Sequence, residues 1–232
     1  MLPQTVYRVA LIVGLVPSVA WAHDFWLERE ARGFVLQYGH HGGQVLVLDG
    51  NKVKTVRCLR PGVAARDVRA DAQVEGKALV VTVGCDVIAA FSDGGFWSLT
   101  PDGEKNLPKN KCPDAVKSWQ SRQFAKWLDP RSPLASTPVG DEFEIVPVSD
   151  LAKTKSGDKA SFRVLLGGKP VSGAVVAIDH KPLGETDSSG EVRIRIRGTE
   201  LESLSVSLRR PLSSPEADAQ IFEASLTFPV AK

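Results

Sequence analysis

EGKALVVTVGCDVIAAFSDGG, residues 75–95, holds two strand signals between two turn signals. Leu79–Val83 (LVVTV) and Val87–Phe91 (VIAAF) are short runs of β-branched, aliphatic and aromatic residues. Glu75-Gly76-Lys77 before them and Asp93-Gly94-Gly95 after them read as turns. Outward from this stretch the rhythm repeats. Phe34–Tyr38 and Val45–Leu48 are strand-like, and Asp49-Gly50-Asn51 closes the second run. Further along, Ala160–Leu166, Ala174–Ile178, Glu191–Ile196, Leu204–Leu208 and Ala224–Val230 read the same way. Many short strands with such punctuation predict an all-β chain of antiparallel sandwiches. Phe143–Pro147 is a strand ending at proline, and the rhythm changes after it. Two β-sandwich domains are therefore expected, 23–148 and 149–232. Pro113–Leu128 stays ambiguous. Val116, Trp119, Gln123 and Trp127 fit one face of a helix, whereas Trp119, Ser121, Gln123, Ala125 and Trp127 fit an alternating strand.

The N-terminus reads as a secretory signal over residues 1–22. One basic residue, Arg8, precedes the apolar run Val9–Val16, which is too short for a bilayer span of about 20 residues. Pro17 and the small-residue pattern Ala20-Trp21-Ala22 follow, so cleavage after Ala22 would leave His23 as the first residue. The style of the signal predicts a bacterial periplasm, with no membrane insertion after cleavage. The remaining chain carries nearly equal numbers of acidic and basic residues and no basic stripe, which argues against nucleic acid as a partner. Met1 is the only methionine, so no thioether copper site can be built.

An oxidising compartment favours disulfides, and three cysteines leave one over. Cys58 ends the strand-like stretch Lys52–Cys58 and Cys85 ends Ala78–Cys85, so neighbouring strands could place them side by side. The expected bridge is Cys58–Cys85, stabilising by about 3 kcal/mol on the chain-entropy model. Cys112, in the polar stretch Lys109–Asp114, is expected to be free.

Chemistry is concentrated in the four histidines. His23 would be N-terminal after cleavage, where its α-amine and ring Nδ1 can close a six-membered chelate on one ion. An α-amine has an ordinary pKa near 8, so a metal can displace its proton at neutral pH. His40 and His41 stand in a glycine-rich segment with Gly39, Gly42 and Gly43, whose backbone freedom lets an imidazole turn inward. Imidazole nitrogens suit nickel, copper and zinc, and cobalt accepts the same donors. Asp24, beside the chelate, and Asp93, opening the SDGG segment, are candidate oxygen ligands. The expected metal set is thus His23, Asp24, His40, His41 and Asp93. His180, in Asp179-His180-Lys181-Pro182, reads as a surface-loop residue outside it. Phe25, Trp26, Phe96 and Trp97 read as core and edge aromatics. No G-x-S-x-G, H-E-x-x-H, phosphate-loop or dinucleotide pattern occurs, and an enzyme is not expected.

Two resemblances follow from these motifs. Residues 161–196, in particular GGKPVSGAVVAI followed by GETDSSGEVRIRI, resemble the carboxypeptidase regulatory-like, transthyretin-type sandwich, a pattern that implies a fold and no activity. Nearly the whole chain after residue 22 resembles a bacterial periplasmic family of nickel-uptake accessory components. The resemblance is carried by HDFWLE (23–28), YGHHGG (38–43), SDGGFWS (92–98), Asn106-Leu107-Pro108-Lys109 and VGDEFEIVP (139–147). It implies nickel as the metal and a membrane metal transporter or outer-membrane receptor as partner. Many members have G-H-x-G-E, with a glutamate after the glycine; here Gln44 follows Gly43, so that acidic donor is missing. Two other readings stand beside this one. An N-terminal histidine with a second histidine is also the ligand set of copper-dependent polysaccharide oxygenases, and two sandwiches without a small ligand would make a periplasmic adaptor.

Overall fold

The computed structural model describes residues 23–232, so the expected signal segment lies outside the described residues. The chain is all-β. Its strands are β1 (Asp24–Glu30), β2 (Gly33–Gly39), β3 (Val45–Leu46), β4 (Val53–Arg60), β5 (Val63–Asp67), β6 (Gln73–Glu75), β7 (Ala78–Val81), β8 (Val87–Thr100) and β9 (Gly103–Lys105). They continue with β10 (Lys117–Leu128), β11 (Phe143–Pro147), β12 (Lys159–Leu166), β13 (Lys169–Pro170), β14 (Val175–Ile178), β15 (Lys181–Glu185), β16 (Glu191–Arg195), β17 (Leu201–Pro211) and β18 (Ala219–Pro229). Three short 3-10 turns, at Arg69–Asp71, Lys109–Lys111 and Leu151–Lys153, complete the described regular structure.

A long nine-stranded sheet runs β15-β14-β17-β18-β10-β8-β4-β5, with β9 on β8. Two smaller sheets complete the fold: β1-β2-β7-β6 with β3 on β2, and β11-β12-β13 with β16 on β12. Among the described residues the named strands pair antiparallel except β10 and β18, which run parallel from Trp119↔Ala219 to Trp127↔Thr227.

β10 settles the ambiguity left by periodicity. Pro113–Leu128 contains a strand rather than a helix, and side-chain alternation sends its two faces to two different cores. Phe124 and Leu128 join Phe143, Ile145, Phe162, Val164, Val206, Phe222 and Phe228 in one core. Ala125 and Trp127 join Phe25, Leu27, Phe34, Leu36, Leu79, Ile88 and Ala90 in the other. A strand buried on both faces loses the polar–apolar alternation that would have marked it in sequence. Lys126 lies on the first face and is almost fully buried. Its ammonium meets Glu144 at 2.9 Å, and Glu144 also accepts the Val139 and Gly140 amides.

The two expected sandwiches thus share a sheet. The boundary expected at 148–149 does not divide the sheets, because β10 from before it pairs with β18 from after it. Phe143–Pro147, read as the last strand of the first sandwich, pairs with β12 instead, from Phe143↔Leu166 to Pro147↔Phe162. Asp93-Gly94-Gly95 is not a turn between strands either. β8 runs through it, and the register shift opposite Ser121/Arg122 leaves Gly94 as a bulge. A Cβ on Gly94 would stand 2.8 Å from the Ser121 Cβ, which accounts for the glycine.

The Cys58–Cys85 disulfide is present, with Cα atoms 5.5 Å apart. Cys58 lies on β4 opposite Ile88, and Cys85 precedes β8, so the bridge fastens β4 to the entry of its neighbour. Cys112 is free and buried. Among the described residues, no helix is long and apolar enough to cross a membrane.

Candidate functional site

Two hairpin loops from different sheets meet at one edge of the molecule. The first joins β2 to β3. It is closed by His40 N–H donating to the Gln44 carbonyl and Gly43 N–H to the His40 carbonyl, both at 2.9 Å. Gly39 enters it at φ 135°, and a Cβ there would fall 2.4 Å from the Gln44 carbonyl oxygen. Only glycine allows that closure. The second loop joins β14 to β15 and has two residues, Asp179 and His180, between the paired Ile178 and Lys181. Both have left-handed backbones, φ 47° and 59°, as a two-residue type I′ hairpin requires. Asn and Gly are the usual occupants of such positions, and Asp and His are tolerated at some cost in strain.

β1 supplies the third element. Paired with β2 from Asp24↔Gly39 onward, it packs its start against β10 and β18. The Gln123 side-chain amide donates to the His23 carbonyl at 3.0 Å, and Ser225 Oγ donates to the Phe25 carbonyl at 2.7 Å. These bonds hold residues 23–25 beneath the two loops.

The convergence brings all four histidines together. His40 Nδ1 lies 3.2 Å from His180 Nε2, and the same His180 nitrogen lies 3.1 Å from Asp24 Oδ2. Asp24 Oδ2 also accepts the His41 backbone N–H at 3.3 Å. The His23 ring centroid is 5.0 Å from that of His40 and 5.3 Å from Tyr38. Partial burial, with the neighbouring His40, lowers the His23 pKa, which favours the neutral ring, the form that can offer a lone pair to a cation. Burial raises the Asp24 carboxyl despite the opposing pull of His180 and His41. A group made reluctant to carry its charge unpaired is one that a cation would relieve.

His41 is differently employed. Its Nε2 stands 3.3 Å from Glu28 Oε1 and its Nδ1 3.5 Å from Asp179 Oδ1. These carboxylates, Glu28 first, raise its pKa, and Glu28 is held low by the same bond. Trp26 Nε1 donates to Glu28 at 3.0 Å, and its indole meets the His41 ring edge-on at a centroid distance of 5.5 Å. His41 therefore clasps the first loop to β1 and to the second loop through both ring nitrogens.

Of the expected metal set, His23, Asp24 and His40 are brought together, whereas both ring nitrogens of His41 face carboxylates. Asp93 serves its own bulge, accepting the Gly95 amide at 3.0 Å. His180 is the correction in the other direction. Read as a surface-loop residue, it stands between His40 and Asp24, with a third of its side chain exposed. The Asp179-His180 dipeptide at the tip of a two-residue hairpin was the available signal, but a sequence separation of 140 residues from His40 hid the partner. Among the described residues, no group of three or more His, Cys, Asp or Glu side chains already stands in an arrangement that would hold a metal ion.

Comparison with known proteins places limits on what can be carried over. A mouse protein described as MHC class I-like protein MILL2 is 28% identical over 109 residues, which cover 44% of this chain. The chain spans only 31% of that relative's length. Among solved structures, the N-terminal four Ig domains of Dscam1 isoform 9.44 match over 75% of this chain and 36% of that one. The identity is 11% and the TM-score 0.21, too slight a likeness to carry an argument. A family model does match, across both hairpin loops and β1, over residues 20–199 of 232. The chain belongs to the family described as a domain of unknown function, DUF4198.

Proposed function

We propose that this protein is a periplasmic binding protein for a divalent transition metal, nickel first, that serves metal uptake by delivering the ion to a membrane transporter or outer-membrane receptor. The observation that carries the reading is the line His40 Nδ1, His180 Nε2, Asp24 Oδ2, with separations of 3.2 and 3.1 Å. Two donors each about 2.1 Å from one ion, at 90° to 109°, stand roughly 3.0 to 3.4 Å apart. The contacts that now join these atoms bring each neighbouring pair to the spacing of two donors on one ion; binding would displace the shared protons and close the third side. A mixed imidazole and carboxylate set suits nickel, copper, cobalt and zinc, and the resemblance to nickel-uptake accessory components orders that list.

Removal of the signal after Ala22 would add the His23 amine to these donors. His41, held by Glu28 and Asp179, keeps both loops in place and leaves the ion to His40 and His180. The segment resembling a carboxypeptidase regulatory-like sandwich contributes the Asp179-His180 turn, which gives that module a use in the site.

Calorimetric titration of Ni²⁺ and Cu²⁺ tests this on chelator-stripped protein beginning at His23 and on protein carrying one extra residue before it. One site is expected in the first form. A binding constant at least tenfold weaker is expected in the second, where the amine has become an amide. No binding in either form overturns the reading. Equal binding in both removes the amine from the ligand set.

A further inference from the structure

A cavity of about 460 Å³ opens beside the cluster, under the β14–β15 hairpin and over β17 and β18. His23, Asp24 and His180 form one end of it, so it is continuous with the candidate metal donors. Its volume falls within the range of small-molecule sites, about 300 to 1,000 Å³. The remaining wall is mostly apolar surface, from Val175, Ala177 and Pro182, with Ser205, Ser207 and Ser225 facing it from β17 and β18. A bare or hydrated ion gains nothing from such a wall, since apolar surface cannot replace its water ligands.

We infer that the site takes its metal as a complex with a small organic chelator, whose apolar body fills this cavity while His40, His180 and Asp24 meet the metal. The inference rests on the metal-binding reading above and adds the chemical class of what accompanies the ion. The polar groups on the cavity wall narrow that class. Glu223 lines the wall and accepts the Gln123 amide at 3.0 Å; Asp24 and Asp179 lie on the same wall, and among the described residues Lys181 is its one basic residue apart from the histidines. Such a wall favours an amine- or imidazole-bearing chelator, neutral or cationic as the complex, over a polycarboxylate.

The test uses the protein beginning at His23, with native mass spectrometry and calorimetry. The probes are Ni²⁺ alone, the preformed bis-histidine nickel complex and nickel citrate. Ala177→Phe fills the cavity from β14 and Ser207→Phe from β17, and neither touches a donor to the metal. Their circular dichroism and Ni²⁺ binding report whether they fold. The wild type is expected to retain a protein–nickel–histidine species, weakened at least tenfold in both variants, with Ni²⁺ alone bound within twofold in all three. No ternary species is expected with citrate. If Ni²⁺ binds but histidine is never retained, or the two variants retain it as well as the wild type, the inference falls and metal binding stands. An equal citrate species overturns the assigned class. If neither Ni²⁺ nor its complexes bind any form, the metal reading and this inference fall together.

Discussion

The two loops that build the site solve the same geometric problem with opposite materials. The β2–β3 loop, His40 to Gln44, turns on glycine: Gly39 and Gly42 have φ 135° and 72°, and the closure tolerates no Cβ at Gly39. The β14–β15 loop turns on Asp179 and His180, two residues with side chains in a backbone region they rarely occupy. The glycine loop spends its special positions on backbone and presents chemistry beside them. In the other loop the strained residues are themselves the chemistry, and left-handed backbone at both is what aims the carboxylate at His41 and the imidazole at His40.

The largest expected effect separates the loops' donors from their fastener. His40→Ala and His180→Ala should each weaken Ni²⁺ binding about a hundredfold, whereas His41→Ala, which removes the clasp, should weaken it about tenfold or less. Calorimetry on the three variants reads this directly. Full affinity in His180→Ala would make the second loop a bystander and undo the comparison.

Stability should divide the loops next. Gly39→Ala forces a Cβ to within 2.4 Å of the Gln44 carbonyl and should cost about 2 kcal/mol or more by urea unfolding.

A pH series sharpens the environment beneath the second loop, measured with chelator present so that no metal contributes. Glu223 has its folded pKa raised from 4.5 to about 7. A carboxyl raised in this way stabilises the fold below pH 4.5, where it is protonated in both states. That contribution is lost as pH rises toward and through 7. Glu223→Gln should abolish this loss, about 1 to 3 kcal/mol between pH 4.5 and 8. A wild type and variant with parallel pH profiles would show that Glu223 is solvated.

The smallest effect should have the opposite sign to that of Gly39→Ala. Asp179→Gly relieves a left-handed backbone and should leave stability unchanged or raise it by up to about 1 kcal/mol, net of losing the weak, half-exposed Asp179–His41 contact. A clear destabilisation would show that the contact outweighs the strain.

Local chemistry determined a good deal of this protein in advance. Short β-branched runs and their turns dictated an all-β chain, because a strand's composition and its glycine punctuation are properties of a few consecutive residues. The Cys58–Cys85 pairing was legible for a similar reason: each cysteine marks the end of a strand-like run. His23, Asp24 and His40 stood out from residue type and position alone, the first as the residue after the expected cleavage site and the last between glycines. The β1–β2 hairpin, which sets Asp24 opposite Gly39, is what brings them together. Three features needed the tertiary structure. β10 fits a helical face and an alternating strand equally well because cores on both of its faces demand buried side chains, so its strand character and the sharing of one sheet across the expected boundary appear only on assembly. Asp93-Gly94-Gly95 carries the residues of a turn, yet pairing of Asp93 and Gly95 with successive residues of β10 stretches it into a bulge at Gly94. His180 reaches His40 only because the parallel pairing of β10 with β18 carries β17 and β14 around to the edge where β1 begins. A contact between residues 140 apart leaves no local trace, since nothing in the composition near either residue depends on the other.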